Sequence, residues 1–404
     1  MGDFRRQWML GIAAALLATA VVLTVSSCSD EPTEANSIVA TLPLTNFLVR
    51  DTTIQAASGR AFRQYVPMNG SINLLGRNGS FLAYSTFSFA PAKFPPRDTI
   101  QVVSAKLTLH ALTWYGEPTS TFAFTAHRIT RSWSSNGLTW DSVQAGFYED
   151  QVRGSFSTTA GPDTQAIVVN LDTAMVREWF QTSTSTTTTK YGFILIPTSA
   201  TQSLLRGLIA YGTIDSVNYL PTLEVIAVNV AGTTRDTSIF NSGIDTFVGN
   251  IDPPLSDPGL LYQQAGIAYR STLHFDLTGI PRGAIINSAE LLLERDPVTS
   301  RLNKFVRDTV VSPHLLLDPV DSTNFDAEDG ESFGRRKPGT INTFSFNIRR
   351  HVQSWLRGPN NGLLLRTTLT SEYNTADLYT FFSPAAANTA VRPRLKVVYS
   401  VERN

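Results

Sequence analysis

Alternating apolar and polar positions run through most of this chain. In Ser104-Ala105-Lys106-Leu107-Thr108-Leu109, Ala105, Leu107 and Leu109 alternate with Lys106 and Thr108, the period-two pattern of a strand with one buried face. Ser288-Ala289-Glu290-Leu291-Leu292-Leu293 has the same layout. Each is preceded by a second strand pattern, Ser85-Thr86-Phe87-Ser88-Phe89 and Ser271-Thr272-Leu273-His274-Phe275, across a turn containing Pro95-Pro96 or Ile280-Pro281. The spacing predicts one supersecondary unit used twice.

Further anchors follow in the same order. Asn170-Leu171-Asp172, leading to Val176 and Trp179, matches Asn347-Ile348-Arg349, leading to Val352 and Trp355. Tyr191-Gly192-Phe193-Ile194-Leu195 matches Asn361-Gly362-Leu363-Leu364-Leu365, and Pro221-Thr222-Leu223-Glu224-Val225 matches Pro393-Arg394-Leu395-Lys396-Val397. The separation drifts from 186 residues at Ser85/Ser271 to 172 at Pro221/Pro393, as duplication with loop deletions produces. Short strands rich in β-branched and aromatic residues, punctuated by Gly, Pro, Asn and Ser, predict an all-β sandwich or barrel. One helix of about two turns is expected in each copy, 172–180 and 348–356, with Trp179 and Trp355 closing one end of the core. The organisation predicted is 38–229 for the first sandwich and 230–404 for the second.

The first 27 residues have a different character. Arg5-Arg6 precedes an apolar stretch from Met9 to Val25, ending in small residues around Cys28, the only cysteine in 404 residues. That layout is a secretory signal, and the placement of Cys28 resembles a bacterial lipoprotein signal. The resemblance implies removal of residues 1–27, acylation of Cys28 and anchoring to the cell outer membrane through buried lipid chains. Residues 28–37 read as a polar, acidic tether that has nothing to bury. An acidic run there resembles the export signal of surface-exposed lipoproteins. A single cysteine excludes internal disulfides and cysteine-based metal sites. Lys+Arg and Asp+Glu balance at 33 each, so nothing in the overall charge directs the chain to nucleic acid.

One stretch stands out in the first copy: His127-Arg128-Ile129-Thr130-Arg131-Ser132-Trp133, a polar turn, then Thr139-Trp140. Together with Phe87-Ser88-Phe89, Ser104-Ala105-Lys106-Leu107, the Asn170-to-Trp179 helix and Tyr191-Gly192-Phe193, it resembles the DNRLRE (disaggregatase-related) domain. The resemblance covers about Asp51 to Val225. It implies two tandem jelly-roll-like β-sandwich domains and, from the family's association with polysaccharides, non-catalytic binding of acidic glycans. The second copy departs in its middle, where Pro313-His314-Leu315 and then Asp318-to-Gly334 contain no tryptophan.

Sugars offer apolar C–H faces to aromatic rings and hydroxyls to polar forks, and acidic sugars add carboxylates suited to arginine. Trp114, Tyr115, Trp133, Trp140, Phe147 and Tyr148 are the candidate rings, and Arg128, Arg131 and Lys190 the candidate charges. Trp114 and Tyr115 point to opposite faces in an extended segment, so only one can lie on a given platform. The competing reading has Trp133 and Trp140 closing the sandwich edge. The five histidines have no metal-ligand spacing, and Asp326-to-Glu331 lacks the alternation of a calcium loop. No nucleophile elbow or phosphate loop occurs, so neither cofactor nor catalysis is expected. The function read from the sequence is lipid-anchored polysaccharide binding. The alternatives are a structural or adhesive envelope protein that contacts protein partners and, last, a polysaccharide-cleaving enzyme.

Overall fold

The computed structural model describes residues 47–89, 95–143, 145–159, 165–184, 191–201, 203–210, 213–214, 217–303, 311–327 and 333–403. Arg50–Tyr399 forms one compact unit, and a second, small unit contains 47–49 and 400–403. Cys28, Lys190, the acidic tether and most of the 326–331 run lie outside the described residues. The fold is predominantly β, with strands arranged as sandwich- or barrel-like sheets. Helices are few and short, as the alternating pattern requires.

The strands before the first helix are β1 (Phe47–Arg63), β2 (Ile72–Asn78), β3 (Phe81–Phe89), β4 (Ile100–Gly116), β5 (Thr121–Ile129), β6 (Tyr148–Thr159) and β7 (Gln165–Asn170). Helix α1 (Thr173–Arg177) starts where the Asp172 carboxylate accepts the Ala174 and Met175 amides, at 2.8 and 3.3 Å, a side-chain N-cap. After it come β8 (Phe193–Pro197), β9 (Ser203–Ile209), β10 (Thr213–Ile214), β11 (Val217–Asn218), β12 (Thr222–Asn229) and β13 (Arg235–Ile251). The next strands are β14 (Leu260–Gln264), β15 (Tyr269–Phe275), β16 (Ile285–Glu294), β17 (Val311–Leu315), β18 (Arg335–Arg336) and β19 (Thr343–Asn347). Helix α2 (Arg349–Arg357), β20 (Leu363–Thr367), helix α3 (Leu369–Asn374), β21 (Leu378–Phe382) and β22 (Arg394–Glu402) complete the order.

Two large sheets result. The first runs β13-β12-β4-β9-β2-β3-β8-β5-β6, with β7 beside β4 and β13 returning to pair β3. The second runs β17-β20-β15-β1-β22-β16-β19-β18, with β14 beside β15 and β21. The repeated anchors meet in one register. Lys106 faces Asn170 and Glu290 faces Asn347, while the Leu171 and Ile348 amides both donate at 2.9 Å, to the carbonyls of Ala105 and Ala289. Gly192 and Gly362 hold the corresponding turns at φ +82° and +92°. A Cβ would stand 1.9 Å from the Phe87 carbonyl oxygen in one and 2.6 Å from that of Leu273 in the other, so glycine is required at both.

The pairing cuts across the boundary read at 229/230. Strand β1 pairs β15, with Ala61 opposite Ser271, and so lies in the second sheet. Strand β13 pairs β12 and β3, and so lies in the first. The cause is local: Asn229 and the Thr233-Thr234 turn close a β12–β13 hairpin through the Asn229 amide and carboxamide, so β13 folds back onto the strand before it.

Inside the first sheet, Leu107, Leu109, Phe122, Phe124, Phe193 and Val225 form a continuous core. Trp179 is 2% exposed and stacks on Phe193 with ring centroids 6.1 Å apart. Trp355 is buried on α2 beside Val352. A second apolar cluster brings Leu74, Phe81, Tyr115, Leu205 and Phe247 against Tyr262, Tyr269, Ala376 and Leu378. It joins strands of the two sheets.

Candidate functional site

The tryptophan-bearing stretch leaves β5 at Ile129 and returns to β6 at Tyr148. It lies over the outer face of the first sheet, where Leu138 and Phe147 are buried with Ile194 and Val248, and Trp133, Trp140 and Tyr84 pack around them. The Trp133 indole Nε1 donates to the Tyr191 carbonyl at 2.7 Å, and the Trp140 ring sits 5.0 Å from that of Tyr84. Arg131 donates to the Ser142 carbonyl at 2.8 Å and covers the Phe147 ring at 5.4 Å. The structure thus brings Arg131, Trp133 and Trp140 together, but their rings and donors face the loop's own packing. A shallow depression of about 420 Å³ remains beside Arg131, Trp133 and Phe147.

Arg128 is occupied as well. Its guanidinium binds Glu149 at 3.1 Å and the Glu178 carboxylate. Arg153 continues the chain, bridging Glu149 and Asp172 at 2.8 Å each. Three carboxylates against two guanidiniums leave no positive charge to offer an acidic sugar. Tyr115 corrects the expectation of a ring platform. It is 5% exposed, within the core that joins the two sheets, and its hydroxyl accepts the Ala376 amide at 3.0 Å. Burial, then the charge of Asp377, pushes its phenol above the ordinary value. Trp114, on the opposite face as extended geometry demands, packs half-buried against the core of the first sheet.

An open groove lies on the second sheet instead. Ser58 and Arg60 on β1 stand beside His274 and Thr272 on β15, and segments 316–322 and 360–361 wall them in, enclosing about 510 Å³. That volume is within the range of small-ligand sites. The Asn360 carboxamide donates to the Phe275 carbonyl at 2.7 Å, and His274 Nε2 lies 3.2 Å from the Asn360 carbonyl. Asp318 accepts the amides of Val320 and Asp321 at 2.7 and 2.9 Å, and these bonds, the Asp321 amide's foremost, hold its carboxyl below the ordinary value. Arg60 is exposed, with no ion-pair partner among the described residues. Pro319 and Val320 add an apolar rim, Val320 being 83% exposed.

Equivalent pairings in the two sheets show why the groove is on this sheet. Thr272 pairs with Leu364 and Arg60, as Thr86 pairs with Ile194 and Thr246. Thr86 and Thr246 are completely buried, under the 130–147 loop and the 65–68 connection, which meet at Met68, Leu138 and Trp140. Tyr191, which holds Trp133, is the counterpart of Asn361, which lines the groove. One copy is covered where the other is open. A second equivalence lay hidden in the divergent stretch. His127 Nδ1 donates to the Glu149 carbonyl at 2.9 Å beside the Tyr148 ring, and His314 Nδ1 to the Asp326 carbonyl at 3.0 Å beside the Phe325 ring. The signal was the pair of histidines in strand patterns, which the missing tryptophans obscured.

Among the described residues, no group of three or more histidines, cysteines or carboxylates is placed to hold a metal ion. No helix among them is long and apolar enough to cross a membrane.

No protein-family model matches the chain, and no curated protein matches it. Among solved structures it is similar to the C-terminal domain of the AgI/II polypeptide BspA of Streptococcus agalactiae. That match has 8% identity, covers 84% of this chain and 90% of that one, and has a TM-score of 0.13. It is also similar to T=1 particles derived from infectious bursal virus, at 12% identity, 89% and 74% coverage and a TM-score of 0.11. Similarities at these scores carry no conclusion about fold or function.

Proposed function

We propose that this chain is a non-catalytic, polysaccharide-binding protein of the cell envelope, held to the outer membrane by lipid on Cys28. In this reading the two sheets belong to tandem jelly-roll-like sandwiches of the kind the DNRLRE resemblance implies, and the groove on the second sheet is the glycan contact. The observation that carries it is the groove's composition: an unpaired guanidinium on Arg60, the amide of Asn361, hydroxyls on Ser58, Thr272 and Ser322, and an apolar rim at Pro319 and Val320, with the Asp318 carboxylate in the lining already engaged by the Val320 and Asp321 amides. Carboxylate and hydroxyl groups suit the first three kinds of donor, and the C–H face of a sugar suits the rim. The ring-and-arginine cluster named from the sequence supports the reading less well, because Arg128, Arg131 and Trp133 already have partners.

Titration calorimetry of the mature chain with oligouronates and with neutral oligosaccharides tests this. Uronates are expected to bind, and Arg60→Ala is expected to weaken them by at least about tenfold, the scale of one lost hydrogen bond to a charged group. Trp133→Ala is expected to bind as wild type does. Unchanged affinity in Arg60→Ala and Asn361→Ala refutes the site. Failure of every glycan, with stoichiometric recovery of a protein partner, favours an adhesive or structural role, and release of new reducing ends would indicate an enzyme.

A further inference from the structure

We infer that the position between β15 and β22 is a self-association site, one that accepts β1 from a second copy of this chain. In the first sheet the corresponding position, between β12 and β3, is filled by β13. In the second it is filled by β1. The two donors are seated alike. The Ser242 amide donates to the Pro221 carbonyl at 2.9 Å, and the Ala56 amide donates to the Pro393 carbonyl at 3.0 Å. Each then slips by one residue at the same place: β13 between Ser242 and Ile244 as its partner steps from Phe89 to Ser88, and β1 between Ala56 and Ser58 as its partner steps from Phe275 to His274. Both carry an Arg-Asp-Thr-x-Ile run, Arg50 to Ile54 and Arg235 to Ile239. The position therefore recognises a strand by pattern and register, and it does so for donors with different places in the chain.

The donors differ in how they are attached. Strand β13 is delivered by the hairpin with β12. Strand β1 has no covalent neighbour in its position: its Gln64 end meets Arg270, 206 residues away. It joins β2 through residues 64–71, a segment able to span roughly 25–30 Å when extended. Nothing covalent tells β1 of one copy from β1 of another, so the choice is set by concentration alone. A short connection supplies an effective concentration on the order of millimolar, which keeps the closed monomer dominant in dilute solution. Detachment uncovers the edges of β15 and β22, and unpaired edges template strand addition. Donor and acceptor are different surfaces of the molecule, so exchange joins copies head to tail, either closing in a ring or continuing.

Cysteine trapping in the full chain tests this. A Cys28→Ser background removes the one native thiol, and Ala61 and Ser271, which face each other directly, are replaced by cysteine singly and together. The doubly substituted chain is expected to close within itself under mild oxidation. An equal mixture of Ala61→Cys and Ser271→Cys chains, refolded together, is expected to give a reducible heterodimer. Its yield should rise about tenfold for each tenfold rise in protein concentration below the millimolar range. Two results overturn the inference: internal closure of the double variant without a heterodimer in the mixture, which confines β1 to its own chain, and failure of the double variant to close, which removes β1 from the position altogether. Neither bears on the glycan groove, which is read by titration.

Discussion

Replacing Trp133 by alanine separates a covering loop from a ligand platform. Complete burial of a tryptophan is worth about 3–5 kcal/mol against alanine. Trp133 is only partly buried, against Ile194, Leu138 and Phe147, so about half of that is at stake. Loss of the indole donor leaves the Tyr191 carbonyl unpaired and adds about 1 kcal/mol. The sum is about 2.5–3.5 kcal/mol. Unfolding entropy near 2.1 cal/mol/K per residue over a unit of roughly 350 residues converts this to a Tm lower by about 3–5 °C. Calorimetry reads the shift, hydrogen exchange is expected to show lost protection at 130–147, and uronate titration is expected to show no change. A tenfold loss of glycan affinity with Tm unmoved would refute the reasoning, because the ring would then be contributing to binding and nothing to the fold.

Other outcomes follow from buried chemistry in the second half. Glu372 is completely buried between Arg270 and Arg366, at 2.7 and 3.0 Å; Glu372→Ala strands two buried guanidiniums and is expected to cost about 3–5 kcal/mol in denaturant unfolding, with Glu372→Gln costing less. Burial depresses the His351 pKa to about 4, against 6.5 unfolded. The unfolded chain therefore takes up the proton first as pH falls, and up to about 3 kcal/mol of stability should disappear between pH 6.5 and 4. His351→Phe should flatten that part of the stability profile. Gly362→Ala and Gly192→Ala both force a side chain onto positive φ and a carbonyl. Each is expected to lose about 1–3 kcal/mol, with Gly192→Ala the worse for its closer contact, as ranked by thermal melts.

Much of the fold was legible because strand periodicity is local and is read directly from the sequence. Ala105, Leu107 and Leu109 are buried as their alternation requires, and the matched pairs Lys106/Asn170 and Glu290/Asn347 meet in register. The exchange of β1 and β13 was not legible. Arg50-Asp51-Thr52 and Arg235-Asp236-Thr237 are nearly the same local sequence, and local sequence cannot say which of two equivalent positions a strand fills. The decision rests with the hairpin at 229–234, a tertiary choice made by chain connectivity. The groove escaped for a related reason. Aromatic residues draw attention in a sequence, whereas Arg60, Thr272, His274 and Asn361 come from distant segments and are united only by the second sheet. Tyr115 shows the opposite error. It was read as a candidate ring, but it is enclosed in the core with Tyr262 and Leu378.

The cross-paired strands also bear on why one sheet is open where the other is covered. A sandwich that must stand alone has to cover every apolar outer position with its own loops. Here Leu74, Phe81 and Phe247 of the first sheet are covered by Tyr262, Tyr269 and Leu378 of the second, and β1 and β13 tie each sheet to the other half. Stability lost by one covering loop is therefore shared across the whole Arg50–Tyr399 unit. The second half lacks counterparts of Trp133 and Trp140 and leaves Thr272, the counterpart of Thr86, on the groove, while its sheet is intact. The freed surface lies where β1, a strand lent by the other half, contributes Ser58 and Arg60. The groove thus needs both copies, and a chain cut between them at 229/230 should retain neither the groove nor the affinity assigned to it.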